Sequence, residues 1–92
     1  GETLIYFEQE LKKVANEYDV FIQDVGLGLM RGLRVENGEI LAKIIKNSMQ
    51  EGLIVLKAGR NTLRFLPSLT ITKAQIDEGF KRFRKAISLE NF

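Results

Sequence analysis

Apolar residues recur at helical spacing at both ends of the chain and once in its middle, with strand-like runs between them. From Thr3 to Tyr18, the residues Leu4, Phe7, Leu11, Val14, Ala15 and Tyr18 share one side of a helical wheel. Glu8, Glu10, Lys12 and Lys13 fall elsewhere on the wheel, so the segment reads as an amphipathic helix with one buried stripe. Val20-Phe21-Ile22 is a short β-branched and aromatic run and reads as a strand. Val25 to Val35 reads as a longer strand. Its odd positions are Val25, Leu27, Leu29, Arg31, Leu33 and Val35, and its even positions are Gly26, Gly28, Met30, Gly32 and Arg34. One face is mainly apolar and the other mainly glycine. Glycines gathered on one face of a strand imply a bulge or the close approach of another backbone.

Glu36-Asn37-Gly38 turns the chain. Asn37 is placed to cap a second helix, with Glu39 in the first turn, where the helix dipole favours an anion. Ile40, Leu41, Ile44, Ile45 and Ser48 mark its buried stripe, and Gly52 supplies the stop. Leu53 to Leu56 and Thr62 to Leu66 read as an antiparallel hairpin joined by Ala58-Gly59-Arg60-Asn61. Thr72-Lys73-Ala74-Gln75 fits a capping box and opens a last helix with Ile76, Phe80, Phe83 and Ile87 on its apolar face. The order is α-β-β-α-β-β-α. It predicts one α+β domain over residues 1–92, a small antiparallel sheet with helices on one side.

Composition narrows the chemistry. The chain has 92 residues with no cysteine and no histidine. It therefore offers no thiol nucleophile, disulfide or imidazole base, and lacks the side chains most zinc sites use. The net charge of +2 is too small to argue for nucleic acid by itself. No apolar run approaches the roughly 20 residues of a membrane span. The start shows no basic segment followed by an apolar one, so a cytoplasmic setting is the default. The sequence opens Gly1-Glu2-Thr3 without an initiator methionine, as a piece of a longer chain would.

Several motifs have ordinary explanations. Gly26-Leu27-Gly28-Leu29-Met30-Arg31-Gly32 has GxGxxxG spacing and continues as a strand, whereas a phosphate loop opens a helix. Lys81, Arg82, Arg84 and Lys85 surround the apolar stripe of the last helix and read as a solvated basic face rather than a nucleic-acid patch. Asp77 and Glu78 fall in the first turn of that helix, where the dipole alone accounts for them. Lys57 and Lys73 are candidate Schiff-base lysines, but nothing near them promises the desolvation that lowers a lysine pKa.

Arg64 stands between Leu63 and Phe65. A strand alternates faces, so if Leu63 and Phe65 are buried, Arg64 lies on the opposite side. Its planar fork on a rigid strand is suited to a carboxylate. Composition alone favours a plain solvated residue.

Four runs have further meaning: Gly28-Leu29-Met30-Arg31-Gly32-Leu33, Glu51-Gly52-Leu53-Ile54-Val55-Leu56, Ala58 through Pro67, and Ile76-Asp77-Glu78-Gly79. In this order and spacing, from about Tyr18 to Phe83, the chain resembles the C-terminal part of class III pyridoxal-phosphate aminotransferases. The likeness is greatest to the acetylornithine aminotransferases, chiefly through the Ala58-Gly59-Arg60-Asn61 turn. The resemblance implies a small C-terminal domain of a homodimeric, cytoplasmic enzyme of arginine biosynthesis. Such an enzyme moves an amino group between N-acetylornithine and 2-oxoglutarate, and relatives take ornithine or succinyl-diaminopimelate. It implies pyridoxal phosphate held mainly by another domain, with the Schiff-base lysine outside these residues. It also implies amino-acid and 2-oxo-acid substrates, no nucleic-acid or membrane partner, no activity in this segment alone, and a substrate α-carboxylate held by Arg64. Val25 departs from the arginine usual in the family, and Ser68 from a second proline that often follows Pro67. Set against this is a free-standing α/β module that uses its basic last helix to bind RNA or protein.

Overall fold

The computed structural model describes every residue except Gly28, Leu29, Ile54 and Leu69, and for Leu27 and Met30 the backbone alone. Helix α1 (Glu2–Glu17) leads into strands β1 (Phe21–Leu27) and β2 (Met30–Val35). Helix α2 (Gly38–Gln50), strands β3 (Leu56–Ala58) and β4 (Thr62–Phe65), and helix α3 (Lys73–Ser88) follow. The strands form one antiparallel sheet in the order β1-β2-β4-β3. The element order expected from the sequence is the observed one.

The helix ends follow from local chemistry. Asn37 accepts the amide of Ile40 on its side-chain oxygen at 2.9 Å and starts α2. At the other end Gly52 takes φ +82. The amides of Gly52 and Leu53 then reach back to the carbonyls of Met49 (3.0 Å) and Ser48 (2.8 Å). This crossed pair is a Schellman motif, which satisfies carbonyls the helix leaves open. Thr72 and Gln75 form the capping box of α3, each side chain accepting the other's backbone amide, at 3.0 and 3.1 Å.

The core lies between one sheet face and the three helices. Leu33, Val35 and Leu63 from the sheet pack with Phe7, Leu11 and Val14 of α1, Leu41 and Ile44 of α2, and Ile76, Phe80, Phe83 and Ile87 of α3. Aromatic rings join these layers. Phe65 meets Phe83 edge-on at 5.4 Å and Phe7 at 6.4 Å, and Phe7 meets Phe80 at 5.3 Å. At the rim, Arg84 of α3 donates two hydrogen bonds to Glu17 at the end of α1, at 2.9 and 3.0 Å. The same two helices are joined near their starts, where the Tyr6 hydroxyl donates to Asp77.

Some boundaries differ from the sequence reading. The run from Val25 to Val35 is not one strand. Its first part belongs to β1, which starts at Phe21, and its second part is β2 paired back against it. A glycine-rich alternation carries too few side chains to mark where one strand stops. A register shift between Phe21 and Gln23 leaves Ile22 exposed on the sheet edge. The strand expected at Leu53 begins only at Leu56, because the Leu53 amide completes the cap of α2 and Val55 enters the core. Helix α3 starts at Lys73, so Asp77 and Glu78 lie past the first turn and serve instead as partners of Tyr6 and Arg82.

The glycine face divides. A Cβ on Gly32 would lie 2.8 Å from the Thr62 methyl and 3.1 Å from the Leu63 carbonyl oxygen. Close approach is real there. A Cβ on Gly26 would meet the Arg31 side chain first, at an ordinary 3.5 Å. Gly28 lies outside the described residues.

Two glycines should therefore respond oppositely to alanine. Gly32→Ala pushes against a β-branched side chain and a backbone oxygen, and should destabilise by about 1–3 kcal/mol. Gly79 sits within α3 with nothing within 4 Å of an added Cβ. Gly79→Ala should stabilise by up to about 1 kcal/mol through helix propensity. Denaturant midpoints of the two variants check this, and equal shifts of one sign would refute it.

The Glu17–Arg84 bridge gives a pH signature. The Arg84 hydrogen bonds hold the Glu17 carboxyl below its usual range. A carboxylate with a lowered folded pKa contributes stability above its unfolded pKa and loses it as the pH falls through the folded value. Native protein should exceed Glu17→Gln in stability by a constant margin at neutral pH, and that margin should close on acidification below the ordinary carboxylate range. Both groups are partly exposed, so the margin is small and shrinks in high salt. Urea titrations across pH measure it. A gap that widened towards acid would contradict this assignment.

Candidate functional site

Arg64 lies at the middle of β4, opposite Gly32 of β2 on one side and Leu56 of β3 on the other. Its sequence neighbours fix its direction. Leu63 is fully buried, and Phe65 packs on Phe7 and Phe83. Arg64 consequently occupies the sheet face away from the helices, as the alternation predicts. The glycine opposite it carries no side chain, and the Thr62 methyl lies over that position. Arg64 is half-buried, and its Nε is buried without a hydrogen-bond partner. No ion pair among the described residues includes it, whereas Arg31, Arg82 and Arg84 each meet a glutamate. A half-buried guanidinium with an unsatisfied donor is costly unless something accepts from it.

The turn before Arg64 is held at both sides. Arg60 and Asn61 take positive φ values of 57 and 55, a region asparagine tolerates better than most residues. The Asn61 carbonyl accepts the Val35 amide at 2.9 Å, and its side chain donates to the Glu36 carbonyl at 3.4 Å. These bonds tie the hairpin tip to the end of β2. Beyond Arg64, the Ser68 hydroxyl accepts the Thr70 amide at 3.2 Å, and its carbonyl accepts the Ile71 amide at 3.1 Å. Where a second proline would stiffen this turn by its ring, Ser68 does so by hydrogen bonding. Val25 pairs with Gly32, so this departure from the family pattern lies in the same cross-strand row as Arg64.

The other candidates are not brought to this face. Lys57 is exposed on β3, and Lys73 is exposed at the start of α3, its ammonium 5.6 Å from the centre of the Tyr6 ring. Every lysine in the chain is exposed. A Schiff-base lysine needs a desolvated or cationic setting, so the residues of this chain do not fit that role towards pyridoxal phosphate. The basic face of α3 is largely neutralised. Arg82 pairs with Glu78, Arg84 with Glu17 and Lys85 with Glu51. The Tyr6 hydroxyl is pushed up to about 12, first by its hydrogen bond to Asp77, so it stays protonated as part of the α1–α3 contact. One feature of the face escaped sequence reasoning: Arg34 shares it with Arg64. The signal is present in the sequence, since Arg34 has the parity of Gly32.

The family model for aminotransferase class-III matches residues 2–87. The chain belongs to this family. It is 43% identical over 82 residues to an acetylornithine aminotransferase of Wolinella succinogenes, covering 88% of this chain and 21% of that protein. An acetylornithine aminotransferase of Vibrio vulnificus is 40% identical over 85 residues, covering 90% and 21%. The crystal structure of N-acetylornithine aminotransferase from Stenotrophomonas maltophilia superposes with a TM-score of 0.78 at 34% identity, over 90% of this chain and 23% of that one. The lysine aminotransferase of M. tuberculosis gives 0.82 at 29% identity, over 91% and 20%. The chain thus spans about a fifth of the length of the relatives it matches.

Proposed function

We propose that this chain is the small C-terminal domain of an aminotransferase and that it supplies the arginine that holds the substrate α-carboxylate. The observation that carries the reading is Arg64 itself, a half-buried guanidinium with an unsatisfied Nε, rigidly mounted on a central strand. A carboxylate would accept two parallel, charge-assisted hydrogen bonds from it. Such a hold orients a substrate without taking part in bond making.

Acetylornithine aminotransferases dominate the similar proteins named above. This favours N-acetylornithine and 2-oxoglutarate as substrates, and arginine biosynthesis in the cytoplasm of the cell as the setting. Both substrates present an α-carboxylate, so one arginine serves both halves of the exchange. Pyridoxal phosphate would act as the electron sink for amino transfer. Its anchors and its lysine would belong to the large domain of a homodimer, which leaves this segment inactive alone. A free-standing RNA-binding or protein-binding module is the weaker reading, because the basic residues it needs on α3 are largely engaged by glutamates.

Arg64→Ala in the enzyme that carries this chain should lower kcat/KM for both the amino donor and 2-oxoglutarate. Breaking a desolvated charge pair typically costs about 2–5 kcal/mol, or roughly 30-fold to several-thousand-fold in rate. Arg64→Lys should recover only part, since an ammonium supplies charge without the planar fork. Cofactor content, read by absorbance, should not change. Near-normal kinetics for both substrates in Arg64→Ala would return Arg64 to a surface role.

A further inference from the structure

Thr62 is only 3% exposed, although it lies on the sheet face away from the helices. The other described side chains paired on that face, Gln23, Val25, Arg34, Leu56, Ala58 and Arg64, are half-buried or exposed. Two contacts fix how Thr62 sits. Its hydroxyl donates to the Arg60 carbonyl at 3.2 Å. A β-branched side chain has few χ1 choices, so a hydroxyl held towards the turn also fixes the methyl. The methyl leans over Gly32, 2.8 Å from where a Cβ would stand.

The consequence falls on Arg64. Its direct partners are Gly32 on β2 and Leu56 on β3. Side chains on a sheet are confined by their cross-strand neighbours, and on the β2 side a glycine confines nothing. An arginine left free there has wide rotamer freedom. Yet the Arg64 Nε is buried while the residue as a whole is only half so, and its stem therefore has close neighbours. The Thr62 methyl, from two residues back on the same strand, occupies the gap that Gly32 leaves. We propose that Thr62 is a positioning residue for Arg64: its methyl fills the space over Gly32 into which the Arg64 side chain would otherwise fold. The inference rests on the aminotransferase reading for what Arg64 holds, and adds a residue that acts only through Arg64.

The test separates methyl from hydroxyl in the enzyme that carries this chain, with N-acetylornithine and 2-oxoglutarate as substrates. Thr62→Ser deletes the methyl and keeps the hydroxyl. It should lower kcat/KM for both substrates by about threefold or more, short of the roughly hundredfold that a misplacement of about 1 Å can cost. Thr62→Val keeps a methyl in that place and should recover most of the loss. The decisive arm is the Arg64→Ala background. There Thr62→Ser should cost less than about twofold, because the effects of residues that act through one another do not add. Unchanged kinetics in Thr62→Ser, or an equal loss in Thr62→Val, would overturn the proposal. The same factor lost with and without Arg64 would overturn it too, and would mark a general effect on the fold. If Arg64→Ala lowers kcat/KM and Thr62→Ser does not, the role of Arg64 stands and that of Thr62 falls. If Arg64→Ala is itself near normal, both fall.

Discussion

The alternation Leu63-Arg64-Phe65 on β4 is the constraint around which the rest is arranged. Leu63, fully buried, and Phe65, partly buried against the core, give the sheet its place and leave Arg64 no choice of face. A slip of one residue would move every side chain on the strand to the wrong side. The turn that precedes β4 holds its register through Asn61, whose carbonyl and side chain both bond to the end of β2. A side chain on such a strand is more precisely placed than one on a loop. The helices matter to the site indirectly. Phe7 of α1 and Phe83 of α3 both pack on Phe65, so each helps to hold the residue next to Arg64.

Much of the fold was legible in the sequence because its strongest signals are local. Each helix carries an apolar stripe at a period near 3.6, and α2 and α3 also have side-chain caps that the structure contains. The strand boundaries were harder. Between Val25 and Val35 the alternation is carried on one side by glycines, which neither pack nor mark an end. At Leu53 an apolar run that resembles a strand is partly spent on closing the helix before it. Backbone hydrogen bonds decide that boundary, and they leave no trace in a hydropathy pattern.

The outer sheet face was legible in the sequence for one arginine and not for the other. Arg64 sits between two large apolar residues, a contrast that a sequence displays directly. Arg34 sits between Leu33 and Val35, which are buried as well. The contrast is the same, but its meaning depends on β2 lying beside β4 in antiparallel register. That adjacency is a tertiary fact: β2 and β4 are separated in the chain by α2 and β3. Only pairing shows that two arginines share one face and that a glycine separates one of them from Val25.

A face with two like charges and no anion is not the arrangement of lowest energy for an empty sheet. Like charges repel more strongly as the surroundings become less watery, and both side chains are half-buried. Against it stands the inner face of the same strands. Burying a leucine, valine or phenylalanine side chain contributes about 1.5–3 kcal/mol each, and β2 and β4 bury Leu33, Val35 and Leu63 fully or nearly so. The core outweighs the repulsion, so the fold holds the arginines together without an anion. Neither strand can turn its arginine away without exposing the core residues on either side of it. The packing of the strands, not a ligand, therefore sets where the two guanidinium groups lie.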